Sequence, residues 1–269
     1  MPIVPLETLD DPRVAAYRLM RDPELVRQRG LFVAEGRLIV ERLIATGAYD
    51  VQSLLLSDTA CTAMQTSLRR LSVGVPVFTC RVEAFVGITG LNIHRGCLAL
   101  VVRPTTVSLA TIAGRARTLV VLENVSNPDN VGGIFRNAAA FRADAVVLGP
   151  GCCDPFYRKA IRTSMAATLR VPFGEMGDWP AGLQWLRGQG FRIVAFTPGA
   201  PSATLEAFAL ERRPERLALL FGAEGDGLTR EAREAAHVCV RIPIASDIDS
   251  LNVAVASGIV LSRLAGPFD

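Results

Sequence analysis

The chain of 269 residues is poor in lysine, in histidine and in metal-binding cysteine patterns. Only Lys159 of its 29 basic residues is a lysine, it has two histidines, and none of its six cysteines forms a C-x-x-C pair. These counts argue against a zinc site and favour cysteines that act as small buried hydrophobic residues. We therefore expect no metal.

Long apolar runs and nucleotide-binding loops are also missing. No apolar run is long enough to span a bilayer, and the N-terminus lacks the basic start and apolar core of a signal peptide. The sequence has no G-x-x-x-x-G-K-[ST] loop and no G-x-G-x-x-G directly after a predicted strand, which argues against ATP and nicotinamide cofactors. We expect a cytoplasmic protein without membrane contacts.

The amino-acid composition indicates a globular protein that is rich in arginine. Half of the residues are apolar and a fifth are charged, enough for a sizeable core. A net charge of +3 is too small to indicate nucleic-acid binding. Arginine in place of lysine suits RNA, because its planar fork binds phosphates and stacks on bases. Codon bias in a GC-rich genome is the alternative explanation, and composition alone favours it.

Alternating strand and helix patterns divide the chain into two α/β domains. Residues 1–103 form a smaller N-terminal domain, 104–117 a linker leading into the next domain, and 118–269 the larger C-terminal domain. In the larger domain, almost wholly apolar strands alternate with helices, a pattern typical of a parallel sheet covered on both faces. Among the predicted helices are 62–71, 131–141, 157–168 and 250–264.

The first polar loop of the C-terminal domain follows the strand at 119–122. Asn130 is predicted to cap the following helix. Each of the two glycines at 132–133 lowers helix stability by roughly 1 kcal/mol relative to alanine, which implies that a ligand or another part of the chain approaches the backbone closely there. Arg136 would then lie near the helix N-terminus, where the macrodipole opposes a cation. An anionic partner such as phosphate would explain an arginine at this position, and an ordinary surface arginine without a ligand is an equally good interpretation.

Two further loops follow apolar strands. Residues 222–228 (G-A-E-G-D-G-L) contain Glu224, which can accept hydrogen bonds from an amine or from Arg136; a solvated acid in a glycine turn is the alternative. Residues 242–243 (I-P) precede 250–252 (S-L-N), where Ser250 is predicted to cap the last helix.

A basic helix lies between the first two loops. From Asp154 to Arg170 the chain carries a local net charge of +3, and Arg158 and Arg162 share one helix face. With Ser164 nearby, this face suits a phosphate backbone, although a solvated helix is an equally good interpretation.

Taken in order, the three loops resemble the motifs of the SpoU class of SPOUT RNA methyltransferases. The resemblance covers about residues 118–264 and consists of N-x-x-x-x-x-R, G-x-E-x-x-G-L, and I-P followed by S-L-N. Residues 32–38 (F-V-A-E-G-R-L) and 94–96 (H-R-G) are similar to a small substrate-binding domain related to ribosomal proteins. Such a domain is usual in members that act on ribosomal RNA.

The resemblance implies a parallel sheet with a deep trefoil knot and a homodimer. It implies that S-adenosylmethionine is bound around Thr197, Gly222, Ile242 and Leu251, and that its methyl group is transferred to a ribose 2′-hydroxyl of RNA. The residues it assigns to chemistry are Arg136, Asn130, Glu224, Ser250 and Asn252, and we expect RNA contacts from Arg37, Arg158, Arg162 and Ser164.

Within this assignment Arg136 is the catalytic residue. Because a guanidinium group does not give up its proton readily, a role in gripping phosphate and polarising the hydroxyl is preferred to a role as base. Glu224 would orient Arg136 or Asn130, while Ser250 and Asn252 would hold the cofactor loop and the nucleotide. Three other functions stay open: 2′-O-methylation of transfer RNA, RNA binding without catalysis, and base methylation.

Overall fold

The computed structural model describes residues 3–7, 10–18, 21–83, 85, 96–199, 202–211 and 214–264. They form two compact units. The first unit is Met1–Thr105 with Phe156–Leu169, and the second unit is Thr106–Pro155 with Arg170–Asp269. The structure differs from the predicted division because Phe156–Leu169, expected in the C-terminal domain, packs in the first unit.

The first unit is built on a mixed five-stranded sheet. Its strands are β1 (Ile3–Pro5), β2 (Leu31–Glu35), β3 (Val51–Ser57), β4 (Val77–Cys80) and β5 (Cys97–Val102). They lie in the order β1-β4-β3-β5-β2, in which β4 is parallel to β1 and β3, while β5 is antiparallel to β3 and β2. Residues 94–95 of the H-R-G motif lie outside the described residues.

Short helices flank this sheet. They are a 3-10 helix (Pro12–Tyr17), a π-helical turn (Glu24–Gln28), α1 (Arg37–Thr46), α2 (Asp58–Ala63) and α3 (Gln65–Leu68). The predicted helix at 62–71 is wrong in both position and continuity. Helix α2 starts earlier because the Ser57 hydroxyl accepts from Ala60 N at 3.2 Å, and Met64 separates it from α3.

The second unit is built on a seven-stranded sheet in which every neighbouring pair is parallel. Its strands are β6 (Thr118–Leu122), β7 (Ala145–Leu148), β8 (Phe173–Glu175), β9 (Arg192–Phe196), β10 (Ala203–Thr204), β11 (Leu217–Phe221) and β12 (Val238–Arg241). They lie in the order β10-β12-β9-β11-β6-β7-β8. The predicted parallel α/β sheet is confirmed, and all residues of β6 and β11 are buried.

The helices after residue 105 are α4 (Leu109–Arg115), α5 (Pro128–Ala140), α6 (Arg158–Thr163), α7 (Ala181–Gly188), α8 (Leu205–Leu210), α9 (Arg230–Ala235) and α10 (Val253–Leu264). Of these, α6 belongs to the first unit. Helix α4 occupies much of the predicted linker, because the Ser108 hydroxyl accepts from Thr111 N at 3.2 Å and caps it. In the described part of the chain, no helix is long and apolar enough to cross a membrane.

The order of the strands opens a crevice in the second unit. The chain runs outward from β6 to β7 and β8, then returns to the other side of β6, where β11 lies between β6 and β9. Ligands bind at such a switch point, beyond the carboxyl ends of the strands. All three polar loops leave strands at this edge.

Helices α5 and α10 pack closely beside the crevice. A Cβ atom built on Gly133 would lie 2.7 Å from Cβ of Ala254. Nδ2 of Asn137 donates to Ala254 O at 2.6 Å and to Ser257 Oγ at 3.0 Å. At Gly133, the close approach predicted from the glycine pair is thus made by a helix of the same unit.

Candidate functional site

An open cleft lies at the carboxyl edge of the second unit's sheet. Residues in segments 196–198, 221–227, 240–244 and 250–256 line it, and the carboxyl edge of a parallel sheet is where α/β proteins commonly bind small molecules. Its lining includes all four residues predicted to bind the cofactor, namely Thr197, Gly222, Ile242 and Leu251.

The wall of the cleft at residues 222–228, here called the glycine loop, needs its glycines for its own conformation. Gly225 and Gly227 have φ of +88° and +67°, a region that residues with a Cβ atom rarely adopt. A Cβ on Gly222 would lie 2.4 Å from the backbone of Gly227 and Leu228. The loop therefore folds tightly on itself and exposes backbone to the cleft.

One side chain joins the three motifs. Nδ2 of Asn252 donates to Oδ1 of Asn130 at 2.9 Å and to Oε1 of Glu224 at 2.5 Å. The sequence predicted that Glu224 orients Arg136 or Asn130. In the part of the chain that the structure describes, Glu224 forms no hydrogen bond or ion pair with Arg136, and it reaches Asn130 only through Asn252.

Asn252, and not Ser250, caps the last helix. Oδ1 of Asn252 accepts from Ala254 N at 3.0 Å and from Val255 N at 3.2 Å, so α10 begins at Val253 rather than at residue 250. Ser250 instead lines the cleft. Its predicted capping role is wrong, while its place at the candidate site is retained.

Asn130 also has a different role from the one predicted. Asn127 caps α5, because its Oδ1 accepts from Asp129 N at 2.8 Å. Asn130 lies in the first turn and is buried, with 6% of its surface exposed. Because Asn252 holds Oδ1, the amide nitrogen of Asn130 is left as a donor, and it has no partner among the described residues.

Arg136 lies further along α5 than the sequence indicated. Helix α5 starts at Pro128, so Arg136 follows the start by more than two turns. The macrodipole argument for an anionic partner is therefore wrong, since that field fades after the first turn. Arg136 is exposed, and within the described ranges its side chain has no hydrogen bond or ion pair.

Glu123 is a buried acid that the sequence motifs missed. It directly follows β6, and none of its surface is exposed. Its Oε1 accepts from Trp179 Nε1 at 2.6 Å and from Thr229 Oγ1 at 2.7 Å, and its Oε2 accepts from Thr229 N at 2.8 Å. The only sequence signal was an acid at the end of an apolar strand.

Arginine side chains link helix α6 and the turn after it to the segment around α1 in the first unit. Nη1 of Arg162 lies 3.2 Å from Oε1 of Glu35, and the exposed Arg37 follows Glu35 by two residues. Nη1 of Arg42 donates to Met165 O at 2.8 Å. The structure thus brings α6 to the start of α1, joining two segments predicted to bind RNA.

Two of the predicted RNA-binding residues, Ser164 and Arg158, are less accessible to an RNA than the sequence predicted. The Ser164 side chain is buried, and its hydroxyl donates to Ile161 O at 2.9 Å, so its predicted contact with RNA is not supported. Arg158 is half-buried, and its backbone N–H donates to Asp22 at 2.9 Å.

Metal-ligating residues do not cluster in the described ranges, where no group of three or more His, Cys, Asp or Glu side chains could hold an ion. The neighbouring Cys152 and Cys153 are thiols and are not joined in a disulfide. Burial raises the pKa of Cys152 to about 11, so it is a weak nucleophile near neutral pH.

Comparison with known proteins agrees with this geometry. Residues 117–262 match the model of the SpoU rRNA Methylase family. An uncharacterised tRNA/rRNA methyltransferase of Mycobacterium tuberculosis is 39% identical over 254 residues, covering 93% of this chain and 87% of that protein. The 23S rRNA (guanosine(2553)-2'-O)-methyltransferase RlmP of Bacillus subtilis is 25% identical, covering 97% of this chain and 99% of that one.

Solved structures share the fold. An AdoMet-bound rRNA methyltransferase from Sinorhizobium meliloti has a TM-score of 0.82 at 24% identity and covers 97% of both chains. The SpoU methyltransferase AviRb from Streptomyces viridochromogenes, in complex with AdoMet, has a TM-score of 0.78 at 19% identity and covers 94% of this chain and 97% of that one. The resemblance inferred from the three motifs is confirmed: this chain belongs to the SpoU rRNA methylase family.

Proposed function

We propose that the protein transfers a methyl group from S-adenosylmethionine to a ribose 2′-hydroxyl of ribosomal RNA. The observation that carries this proposal is the link from Asn130 through Asn252 to Glu224, at the rim of a cleft lined by the four predicted cofactor residues. The RlmP relative is named for the same reaction on 23S rRNA.

The chemistry of the cleft fits S-adenosylmethionine. Apolar side chains such as Ile242, Leu251 and Val253 suit the flat adenine ring, and Thr197 and Ser250 offer hydroxyl groups. The carboxylate of Glu224 suits a cationic ligand. When bound, S-adenosylmethionine supplies an already activated methyl group, so the protein has mainly to position two reactants.

The chain's own residues then divide the work. Asn252 fixes Asn130 and Glu224, so the free amide nitrogen of Asn130 is presented in one orientation. Arg136 is exposed and unengaged within the described ranges, so it is free to grip a phosphate and polarise the 2′-hydroxyl. We keep it as a phosphate clamp rather than a base, because guanidinium does not deprotonate readily.

The homodimer and the trefoil knot are further parts of this proposal. Val255 and Ile259, 52% and 38% exposed, lie one turn apart on α10 beside the cleft, and Ile248 before the helix is 51% exposed. Such an apolar stripe suits a second copy of the chain. The trefoil knot is inferred from family membership. A cytoplasmic location is inferred from the sequence.

Ribosomal rather than transfer RNA is favoured by the first unit. Its residues 32–38 resemble a substrate-binding domain that is usual in members acting on ribosomal RNA, and its exposed Arg37, Arg42 and Arg162 suit contacts with an RNA backbone. Transfer RNA as the substrate, base methylation, and RNA binding without catalysis remain the alternatives.

Two measurements test the proposal. Calorimetry on chelator-treated protein should give one S-adenosylmethionine site per chain, and no binding at millimolar ligand would overturn the cofactor assignment. Mapping ribose methylation across ribosomal RNA from a deletion strain should show one missing 2′-O-methyl group. An unchanged ribosomal map with a missing transfer-RNA methyl group would favour the alternative substrate.

A further inference from the structure

Glu123 holds both ends of the glycine loop. Its backbone N–H donates to Phe221 O at 2.9 Å, directly before the loop. Its carboxylate accepts from the backbone N–H of Thr229 at 2.8 Å, directly after the loop. One residue at the end of β6 therefore fixes the span of the segment that forms one wall of the cleft.

The surroundings of this carboxylate are unusual for a stabilising group. It is fully buried, yet its donors are a backbone amide, the Thr229 hydroxyl and the Trp179 indole, and no Arg or Lys among the described residues pairs with it. A buried carboxylate without a countercharge loses its hydration, and this desolvation lowers the stability of the fold. An apolar residue at the same position would carry a smaller desolvation penalty. Stability alone does not explain an acid at this position.

We propose that Glu123 is a positioning residue for the methyl donor: it holds the glycine loop in the shape that binds S-adenosylmethionine. Thr229 transmits the constraint, because its hydroxyl also accepts from Ala232 N at 3.2 Å and caps α9. The loop is thus tied to β6 at its start and to both β6 and α9 at its end. This inference rests on the proposed function.

Replacing Glu123 by Gln tests the clamp with little change in size. All three donors point at carboxylate oxygens, so an amide NH₂ group must face at least one of them and lose that hydrogen bond. At a temperature where the variant is fully folded, S-adenosylmethionine should bind roughly tenfold more weakly, as expected for the loss of about 1.4 kcal/mol. A purely structural role would lower the melting temperature and leave the Kd of the folded protein unchanged.

Asp144→Asn is the matched control. The Asp144 carboxylate also accepts two backbone N–H groups, from Arg117 and Thr118 at 2.8 Å each, but it does so at the opposite end of β6. This variant should lose stability and keep the wild-type Kd for S-adenosylmethionine. Equal weakening in both variants would overturn the positioning role.

Substitutions of Thr229 provide a second test, which does not require the Glu123→Gln variant to fold. Thr229→Ser keeps the hydroxyl and should bind S-adenosylmethionine within about twofold of wild type, while Thr229→Val should bind more weakly by roughly tenfold. If wild type binds and Thr229→Val and Glu123→Gln bind equally well, the clamp is wrong. If wild type itself fails to bind, the proposed function is wrong instead.

Discussion

The side-chain amide of Asn252 lies 2.9 Å from Oδ1 of Asn130, and 122 positions of the chain separate the two residues. The same amide contacts Glu224, and the same side chain caps α10. Asn252 therefore has two separable roles, one through its nitrogen and one through its oxygen.

Two substitutions of Asn252 should separate these roles. Asn252→Ala removes both, and the lost cap should cost about 1 kcal/mol of stability. Asn252→Asp keeps the capping oxygen but sets a carboxylate against Glu224 and against Oδ1 of Asn130. Its melting temperature should exceed that of Asn252→Ala, while its methyl transfer should fall at least about tenfold. Methylation by Asn252→Asp at the wild-type rate would contradict the proposed network.

Arg37 should supply RNA affinity without chemistry. It is exposed, it lies two residues after the buried Glu35, which pairs with the exposed Arg162, and within the described ranges its side chain has no partner. Arg37→Ala should weaken RNA binding and reduce the slope of log K against log salt by about 1 if it contacts one phosphate. Binding of S-adenosylmethionine should not change. Arg69→Ala, an exposed arginine elsewhere in the unit, is the control.

Deleting the predicted N-terminal domain, residues 1–103, would be an indirect test of RNA binding. The predicted boundary at residue 103 would separate Phe156 from Phe32, whose rings stack with centroids 4.7 Å apart. Phe156 is 3% exposed, so truncation would uncover an apolar surface and confuse folding with RNA binding. Point substitutions avoid this problem.

The strands and the cleft could be predicted, but the exact roles of polar side chains could not. Strand β11 is unbroken and apolar in the sequence, and the loops after such strands meet at one edge of a parallel sheet. Which asparagine caps a helix depends on where the helix starts. Here the helix starts a few residues earlier than predicted, so that Asn127 and not Asn130 is the cap. Glu123 was missed because its partners, Trp179 and Thr229, are distant in the chain.

Arg216 should stabilise the second unit through its planar fork. Its guanidinium stacks 4.1 Å from the ring centroid of Phe191. It donates to Ala116 O at 3.1 Å, to Gln189 O at 2.5 Å and also to Ala113 O. Lysine cannot stack and reach several carbonyl groups at once. Arg216→Lys should therefore lower the free energy of unfolding by about 2 kcal/mol, measured by denaturant titration. A loss below about 0.5 kcal/mol would show that water replaces these contacts.

Arg136 gives the sharpest test of the division between cofactor binding and chemistry. Because it is exposed and, in the described part of the chain, makes no hydrogen bond or ion pair, Arg136→Ala should leave the melting temperature and S-adenosylmethionine affinity nearly unchanged. Methyl transfer to ribosomal RNA should become undetectable, and Arg136→Lys should rescue it poorly because lysine lacks the bidentate fork.

The matched control for Arg136 is Arg233→Ala, since Arg233 is also an exposed arginine on a helix of the second unit and also lacks a side-chain partner among the described residues. Its methyl transfer should match wild type. Turnover by Arg136→Ala near the wild-type rate would remove Arg136 from the mechanism. Loss of S-adenosylmethionine binding in Arg136→Ala would instead move Arg136 to the cofactor side of the site.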